Sequence, residues 1–268
     1  MAKHEADTYQ QYRPLYPAQT FDGLLHFLES RQDTSDSPLT LLDVGCGTGQ
    51  STQSFRTALA SSPNRSVLSI EIQAIDPDPE MIATAQTQCP GASFLTSSAE
   101  RLPFSAESFD AVMVLSAYHW FDRDRANAEI IRVLKPGGYL LVAEYQFPKS
   151  TQNPELNEWI RRGFNQLWRF ENQQKRGSLK ELTQGLVHSE QIRKSEFSRI
   201  PMQQLQNAES LSGLLISQAR VIAALHRLPS DGARLEEIRR IQTTLTGFMG
   251  SVDHPFEFNL TAVEIWKN

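Results

Sequence analysis

The chain has 268 residues, of which 40% are hydrophobic and 21% charged, enough for one large domain or for a core with a helical insertion. Its formal net charge of -5 disfavours a nucleic-acid partner, because surfaces that neutralise phosphates are normally basic. Two cysteines exclude a disulfide framework, and no apolar run approaches the roughly 20 residues of a membrane span, so a cytoplasmic protein, compatible with a monomer, is expected.

Strands and helices are predicted to alternate over the first part of the chain. After a polar start, apolar residues at helical spacing predict a helix around residues 21–28. Short apolar runs predict strands at residues 39–44, 67–75, 92–96, 109–115 and 139–145, separated by helices. The last of these helices, over residues 123–134, is expected to stop at a Lys-Pro-Gly-Gly turn. This alternation indicates an α/β fold with a doubly wound, mostly parallel sheet.

The second half of the chain has a different pattern. Residues 151–250 follow a mainly helical period, with one short strand predicted near residues 197–201. Residues 251–268 contain alternating apolar positions, which predict a final strand that returns to the core sheet. We therefore expect a cofactor-binding core over residues 1–150, a helical insertion that caps the cleft, and seven strands in the sheet.

The most informative stretch is the loop after the first strand. Gly45, Gly47 and Gly49 alternate between a strand and a helix, where a backbone must approach a ligand closely. The dinucleotide fingerprint would need a glycine where Gln50 stands, and the Gly-Lys-Ser/Thr ending of a phosphate loop is missing from this stretch. Asp43, at the end of the strand, would repel a pyrophosphate and attract an ammonium group. The loop thus favours a cationic ligand without phosphate.

A second acid ends the second predicted strand. Asp76 stands where doubly wound folds place a carboxylate that accepts hydrogen bonds from both ribose hydroxyls. A nucleoside with an amino-acid-like tail would satisfy both this acid and Asp43. The two acids together therefore predict a zwitterionic nucleoside ligand.

Five motifs together resemble the class I methyltransferases of the type 11 group, over roughly residues 10–145. They are LLDVGCGTG (41–49), AIDP (74–77), SAERLPF (98–104), SFD (108–110) and RVLKPGG (132–138). The resemblance implies S-adenosylmethionine as the cofactor, with the glycines along its methionine part, Asp76 on the ribose and residues 98–100 at the adenine. Many relatives carry an aspartate in place of Ser98, so this adenine contact is expected to be weaker or made by backbone. The predicted cofactor-binding set is Arg13, Asp43, Gly45, Gly47, Gly49, Asp76, Pro77, Met81, Ser98, Ala99, Glu100 and Ser116.

Two further segments, YHWF (118–121) and YRPLYP (12–17), are similar to trans-aconitate methyltransferase-like enzymes, which suggests a small-molecule acceptor such as a carboxylate. His119 is the candidate catalytic residue. It would accept a proton from a hydroxyl or amine acceptor, or shape the pocket for an ionised carboxylate. Arg13 and Tyr16 are expected in a flap over the cofactor, with Arg13 pairing its carboxylate. The candidate substrate-binding residues are Tyr16, His119, Trp120, Trp159 and Gln218, with Trp168, Arg162, Arg169 and Arg220 as further lining residues.

Two other functions share this fold. A protein that binds S-adenosylmethionine without catalysis would have the same loop, and a nicotinamide-dependent oxidoreductase would have the same strand order. Gln50 and the position of Asp43 argue against the oxidoreductase. Tight binding of NAD without binding of S-adenosylmethionine would favour it.

Overall fold

A computed structural model of the chain describes residues 3–32, 37–63, 68–167 and 177–268. The start of the second predicted strand, Val67, and two predicted lining residues, Trp168 and Arg169, lie outside the described residues. Along the described residues the helices are α1 Lys3–Tyr12, α2 Asp22–Gln32, α3 Gln50–Ser61, α4 Pro79–Gln88, α5 Arg123–Val133, α6 Pro154–Arg162, α7 Leu179–Leu182, α8 Gln184–Val187, α9 Ala208–Ile216, α10 Ala219–His226 and α11 Asp231–Met249. The strands are β1 Leu39–Val44, β2 Ile70–Asp76, β3 Ser93–Thr96, β4 Phe109–Leu115, β5 Leu134–Tyr145, β6 Lys149–Ser150, β7 Ile192–Gln206 and β8 His254–Lys267.

The strands form one mixed sheet. Five strands run parallel in the order β3-β2-β1-β4-β5, and β8 lies antiparallel beside β5. The long strand β7 pairs antiparallel with the other side of β8, while the two-residue β6 pairs with the start of β8. The doubly wound α/β fold is therefore confirmed. Within the described residues the sheet has eight strands instead of the expected seven, because β6 adds a short pairing that no sequence pattern marks.

Helices cover both faces of this sheet. One face packs against α2 and α3 together with α6, α9, α10 and α11, through buried residues such as Leu24, Phe55, Leu156 and Leu245. The other face packs against α5, α7 and α8. The helices of residues 151–250 thus share the hydrophobic core of the sheet, and the turn between α9 and α10 lies beside the cleft described below.

Two strand boundaries differ from the sequence prediction. β7 has 15 residues, whereas only residues 197–201 were predicted as a strand. The prediction was too short because most side chains of β7 are exposed on both faces, so the strand lacks an apolar alternation. β5 begins at Leu134 instead of residue 139. Gly137, with φ of +68°, and a register shift opposite Phe109 let the strand pass through the segment that was expected to be a turn.

The polar N-terminal segment also differs from expectation, because it forms helix α1.

In the described part of the chain, no helix is both long and apolar enough to cross a membrane. Nor do the described histidines, cysteines and acids form a group of three that could hold a metal ion.

Candidate active site

The glycine loop between β1 and α3 forms the floor of a cleft at the carboxyl ends of the parallel strands. Gly45 and Gly47 have φ of +77° and +55°, a backbone region that other residues rarely adopt. A Cβ at Gly45 would collide with Ala117, so this glycine is required by packing. A Cβ at Gly47 would meet the edge of the Tyr9 ring at 4.0 Å, an ordinary van der Waals contact, so Tyr9 covers the loop at this point.

The carboxylate of Asp76 is held at the edge of this loop. It accepts hydrogen bonds from the backbone amides of Gly47 and Asp78, each at 3.0 Å. Burial raises the pKa of Asp76 from its ordinary value, although these two amides lower it. Each carboxylate oxygen keeps a second lone pair, so the group can still accept hydrogen bonds from two ligand hydroxyls.

Asp43 lies beneath the loop and is completely buried. One of its oxygens accepts short hydrogen bonds from the hydroxyls of Ser51 and Thr52, at 2.5 and 2.6 Å. Burial raises the pKa of Asp43 to about 6, while the two hydroxyls lower it. The other oxygen, Oδ1, is buried without a hydrogen-bond partner among the described residues, so the attraction of Asp43 for a ligand ammonium group stays a prediction.

We expect Asp43→Asn to stabilise the ligand-free protein at pH 8 by on the order of 1–3 kcal/mol, because a neutral amide avoids the cost of a buried charge. In the wild type, the contribution of Asp43 to stability is complete below about pH 4 and is lost as the pH rises through about 6. The difference between variant and wild type should therefore appear over this interval in thermal unfolding measured against pH.

Asp110→Asn is the matched control for this prediction. Asp110 is also buried, but Lys135 and Thr40 donate hydrogen bonds to it, and these outweigh burial and lower its pKa. Its replacement should destabilise the protein at pH 8. An Asp43→Asn variant that is no more stable than the wild type at pH 8 would contradict the cost that we assign to its buried charge.

Helix α1 and the segment after it cover the loop. The Nε2 amide of Gln50 donates hydrogen bonds to the backbone oxygens of Gln10 and Arg13, at 3.0 and 3.2 Å. The ring of Tyr9 is thereby held over Gly47. Gln50, which excludes the dinucleotide fingerprint at the sequence level, thus has a structural role as the anchor of this cover.

The guanidinium group of Arg13 lies inside the cleft. It donates to the hydroxyl and the backbone oxygen of Ser217, both at 3.0 Å, and to the hydroxyl of Tyr145 at 3.4 Å. The central carbon of the guanidinium group also lies over the Tyr9 ring, 4.6 Å from the ring centre, in a cation–π contact. No carboxylate of the described residues pairs with it, so an anionic group of a ligand would be well placed to balance this charge.

The turn after β4 brings another pair of polar side chains to the cleft. Ser116 has φ of +53°, an unusual backbone conformation for a residue with a side chain, and this kind of strain is common at functional sites. The hydroxyl of Tyr16 lies near Ser116, and burial raises the pKa of Tyr16 well above its ordinary value. At neutral pH Tyr16 is therefore a neutral hydrogen-bond donor.

His119, in the same turn, is joined to an acid on the neighbouring strand. Its Nδ1 atom lies 2.7 Å from Oε1 of Glu144, the penultimate residue of β5. The two side chains are only 12% and 9% exposed, which makes the contact an enclosed ion pair or a charge-assisted hydrogen bond. The ring of Trp120, next in sequence, lies 4.8 Å from the His119 ring, and this tryptophan is 61% exposed.

Among the described residues around the cleft, several buried polar side-chain atoms have no hydrogen-bond partner, which fits a polar ligand. Buried polar side-chain atoms normally have hydrogen-bond partners, so orphaned ones mark places for a ligand or water. Four such atoms belong to the glycine loop, its cover and the turn after β4: Gln10 Oε1, Asp43 Oδ1, Thr48 Oγ1 and Ser116 Oγ. The residues present therefore fit a ligand that carries several donors and acceptors.

The other residues predicted to bind the cofactor flank the same edge of the sheet. Pro77 is exposed after β2, Met81 is buried on α4, and Ala99 is buried after β3 beside the partly exposed Ser98. Glu100 accepts a hydrogen bond from the backbone amide of Asp122 at 2.9 Å, so its side chain joins this loop to the start of α5.

Predicted substrate-binding residues are divided between the cleft and the helical layer. Gln218 follows Ser217 at the start of α10, near Arg13. Trp159 packs against Phe248 of α11, with ring centres 6.1 Å apart. Of the further lining residues, Arg162 pairs with Glu158 on an exposed helix face.

Sequence reasoning missed four residues that complete the site: Gln50 as an anchor, Glu144, Tyr145 and Ser217. An acid inside the otherwise apolar end of β5 is the one local signal for Glu144, and it does not indicate a partner. Tyr145 and Ser217 carry no local signal, because their role depends on contact with Arg13, which is 132 and 204 residues away in the chain.

Residues 42–142 match a family described as a methyltransferase domain. An uncharacterized methyltransferase of Mycobacterium tuberculosis is 36% identical over 132 residues, which cover 49% of this chain and 46% of that protein. A phthiotriol/phenolphthiotriol dimycocerosates methyltransferase of Mycobacterium leprae is 34% identical over 122 residues, or 44% of this chain and 40% of that protein. The chain thus spans less than half the length of either relative.

A solved structure agrees over nearly the whole chain. A protein of Anaeromyxobacter dehalogenans, assigned as a type II methyltransferase, superposes with a TM-score of 0.62 and 21% identity, over 96% of this chain and 98% of that one. At this identity the likeness shows a shared fold, and it extends to the helical second half.

Proposed function

We propose that this chain, which carries a methyltransferase domain of the type 11 group at residues 42–142, transfers a methyl group from S-adenosylmethionine to a small molecule. The observation that carries the proposal is the Asp76 carboxylate, fixed by the Gly47 amide at the edge of a glycine loop whose glycines have positive φ. A ribose and an amino-acid tail match this arrangement, whereas a pyrophosphate would be repelled by the buried acid Asp43 beneath the loop.

Different residues of the cleft would hold different parts of the cofactor. Asp76 would hold the ribose hydroxyls, Gly45, Gly47 and Gly49 the methionine part, and residues 98–100 the adenine. Asp43 would favour the ammonium group through its buried charge. Arg13 would pair with the carboxylate. The side chain of Gln50, at the start of α3, donates to the backbone oxygen of Arg13, so this position lies near the free backbone amides of the helix, which also favour a negative group.

The cofactor, when bound, supplies an activated methyl group, so the protein contributes mainly position and exclusion of water. Tyr9 and Arg13 cover the loop, and the turn that begins at Ser116 lies against the loop, where Ala117 packs on Gly45. Tyr16, neutral at physiological pH, can donate a hydrogen bond to the acceptor. We place the acceptor on the side of residues 116–121, because this turn brings Ser116 and His119 next to the loop.

A small-molecule acceptor is supported by the acidic net charge, which disfavours a nucleic-acid acceptor. The Mycobacterium leprae relative bears the name of a methyltransferase for phthiotriol and phenolphthiotriol dimycocerosates, which are not macromolecules of the nucleic-acid or protein class. The similarity of YHWF and YRPLYP to trans-aconitate methyltransferase-like enzymes leaves a carboxylate acceptor as one candidate.

Calorimetry with three ligands tests the cofactor assignment. We expect S-adenosylmethionine and S-adenosylhomocysteine to bind and NAD to give no heat, because Asp43 disfavours its pyrophosphate and Gln50 stands where the dinucleotide fingerprint needs a glycine. Binding of NAD alone would replace the proposal with an oxidoreductase. Binding of S-adenosylmethionine with no methyl transfer in a broad metabolite screen would indicate a protein that binds the cofactor without catalysis.

A further inference from the structure

The contact between His119 and Glu144 helps to distinguish between two classes of acceptor, a carboxylate and a hydroxyl group. A carboxylate acceptor is already ionised at neutral pH and needs no base, whereas a hydroxyl acceptor must lose its proton as the new bond forms. The turn after β4 places a histidine beside the expected transfer point, and β5 supplies it with an enclosed carboxylate 2.7 Å from Nδ1. A hydroxyl acceptor would use this pair directly as a base, whereas a carboxylate acceptor would not need its basicity.

We propose that His119 is a general base oriented by Glu144, and that the acceptor is a hydroxyl group on a largely apolar molecule. This inference rests on the proposed methyltransferase function. An ionised Glu144 fixes the proton of the imidazole at Nδ1 and leaves the lone pair on Nε2, and it stabilises the imidazolium that forms when Nε2 takes a proton. Glu144 is thus a positioning residue, and His119 is the residue that acts on the acceptor.

The step balances in atoms and electrons. The acceptor oxygen forms a bond to the methyl carbon, while the bond from that carbon to sulfur breaks and its electron pair stays on sulfur. The hydroxyl proton passes to Nε2 of His119 and from there to water. The products are a methyl ether, S-adenosylhomocysteine and one proton.

Trp120 indicates the character of the acceptor's body. Its ring lies 4.8 Å from the His119 ring and is 61% exposed, whereas a large aromatic side chain is more often buried or covered by a partner. An apolar or aromatic molecule that lay against Trp120 would bring a hydroxyl group next to His119. A small polyacid would gain little from this ring.

Matched pairs of acceptors test the inference on the whole protein. The pairs are 2-naphthol with 2-naphthoate and 1-decanol with decanoate, each incubated with S-adenosylmethionine, and the products are identified by mass spectrometry. We expect methyl ethers from the hydroxyl members. Methyl esters from the acids, with the hydroxyl members unreacted, would overturn the inference and leave the methyltransferase intact. No transfer to any member, while calorimetry shows bound cofactor, would count against the proposed function itself.

Glu144→Gln tests the role of the acid, since it removes the charge and keeps the shape. We expect kcat for the ether product to fall about 10- to 100-fold, with KM and cofactor affinity within about threefold. The acidic limb of the pH profile should move to lower pH, because the neutral amide no longer favours the imidazolium. Asp110→Asn, which disturbs a buried acid at the opposite end of β4, should leave both kcat and the profile unchanged. An unchanged kcat and profile in Glu144→Gln would overturn the role of Glu144.

Discussion

Asp76→Ala should lower the affinity for S-adenosylmethionine about 100-fold or more. The substitution removes two charge-assisted hydrogen bonds to the ribose hydroxyls, each worth about 1.5–3 kcal/mol, and 2.7 kcal/mol corresponds to about 100-fold in affinity. It also frees the backbone amides of Gly47 and Asp78, so the loop loses the group that fixes it. The measurement is isothermal titration with S-adenosylhomocysteine, which avoids turnover.

Asp78→Ala is the control, because Asp78 is two residues away and carries the same charge. Its side chain accepts a hydrogen bond from the amide of Glu80 at the start of α4. Loss of this helix cap should cost about 1 kcal/mol of stability and leave cofactor affinity within about threefold. Equal affinities of wild type and Asp76→Ala, with the fold intact by circular dichroism, would remove the ribose assignment.

His119→Ala should reduce the rate of methyl transfer about 100- to 10,000-fold, the range expected on loss of a general base. Cofactor affinity should change by less than about threefold, because the contact that holds His119 is to Glu144 on β5 and not to the glycine loop. Single-turnover measurements with a reactive hydroxyl acceptor, together with titration of S-adenosylhomocysteine, separate the two effects.

His188→Ala serves as the matched control, since His188 is exposed and its Nδ1 contacts the backbone oxygen of Gln184 on α8. We expect its turnover to equal that of the wild type. If His119→Ala retains wild-type turnover as well, His119 is a packing residue beside Trp120, and the hydroxyl acceptor loses its main support.

Local patterns were sufficient to predict that the glycine loop lies beside Asp76. β1 and β4 were predicted with their observed bounds, because buried parallel strands are short apolar runs that end at glycine or polar residues. The alternate glycines and Asp76 follow such strands directly, and the carboxyl ends of neighbouring parallel strands meet at one edge. The proximity of the glycines and Asp76 was therefore predictable from strand order alone. The hydrogen bond between Gly47 and Asp76 confirms it.

The acceptor half of the cleft depends on contacts that no local pattern encodes. Arg13 meets Ser217 across 204 positions of the chain, and His119 meets Glu144 across 25. α1 lacks an apolar stripe, and β7 is exposed on both faces, so neither produces the periodicity from which elements are predicted. The sequence alone determined the fold class and the proximity of the glycine loop to Asp76, because both follow from short-range spacing of apolar residues, glycines and acids. Only the tertiary structure decided which acid faces His119 and which groups surround Arg13, because those pairings arise from the packing of distant strands and helices onto one sheet.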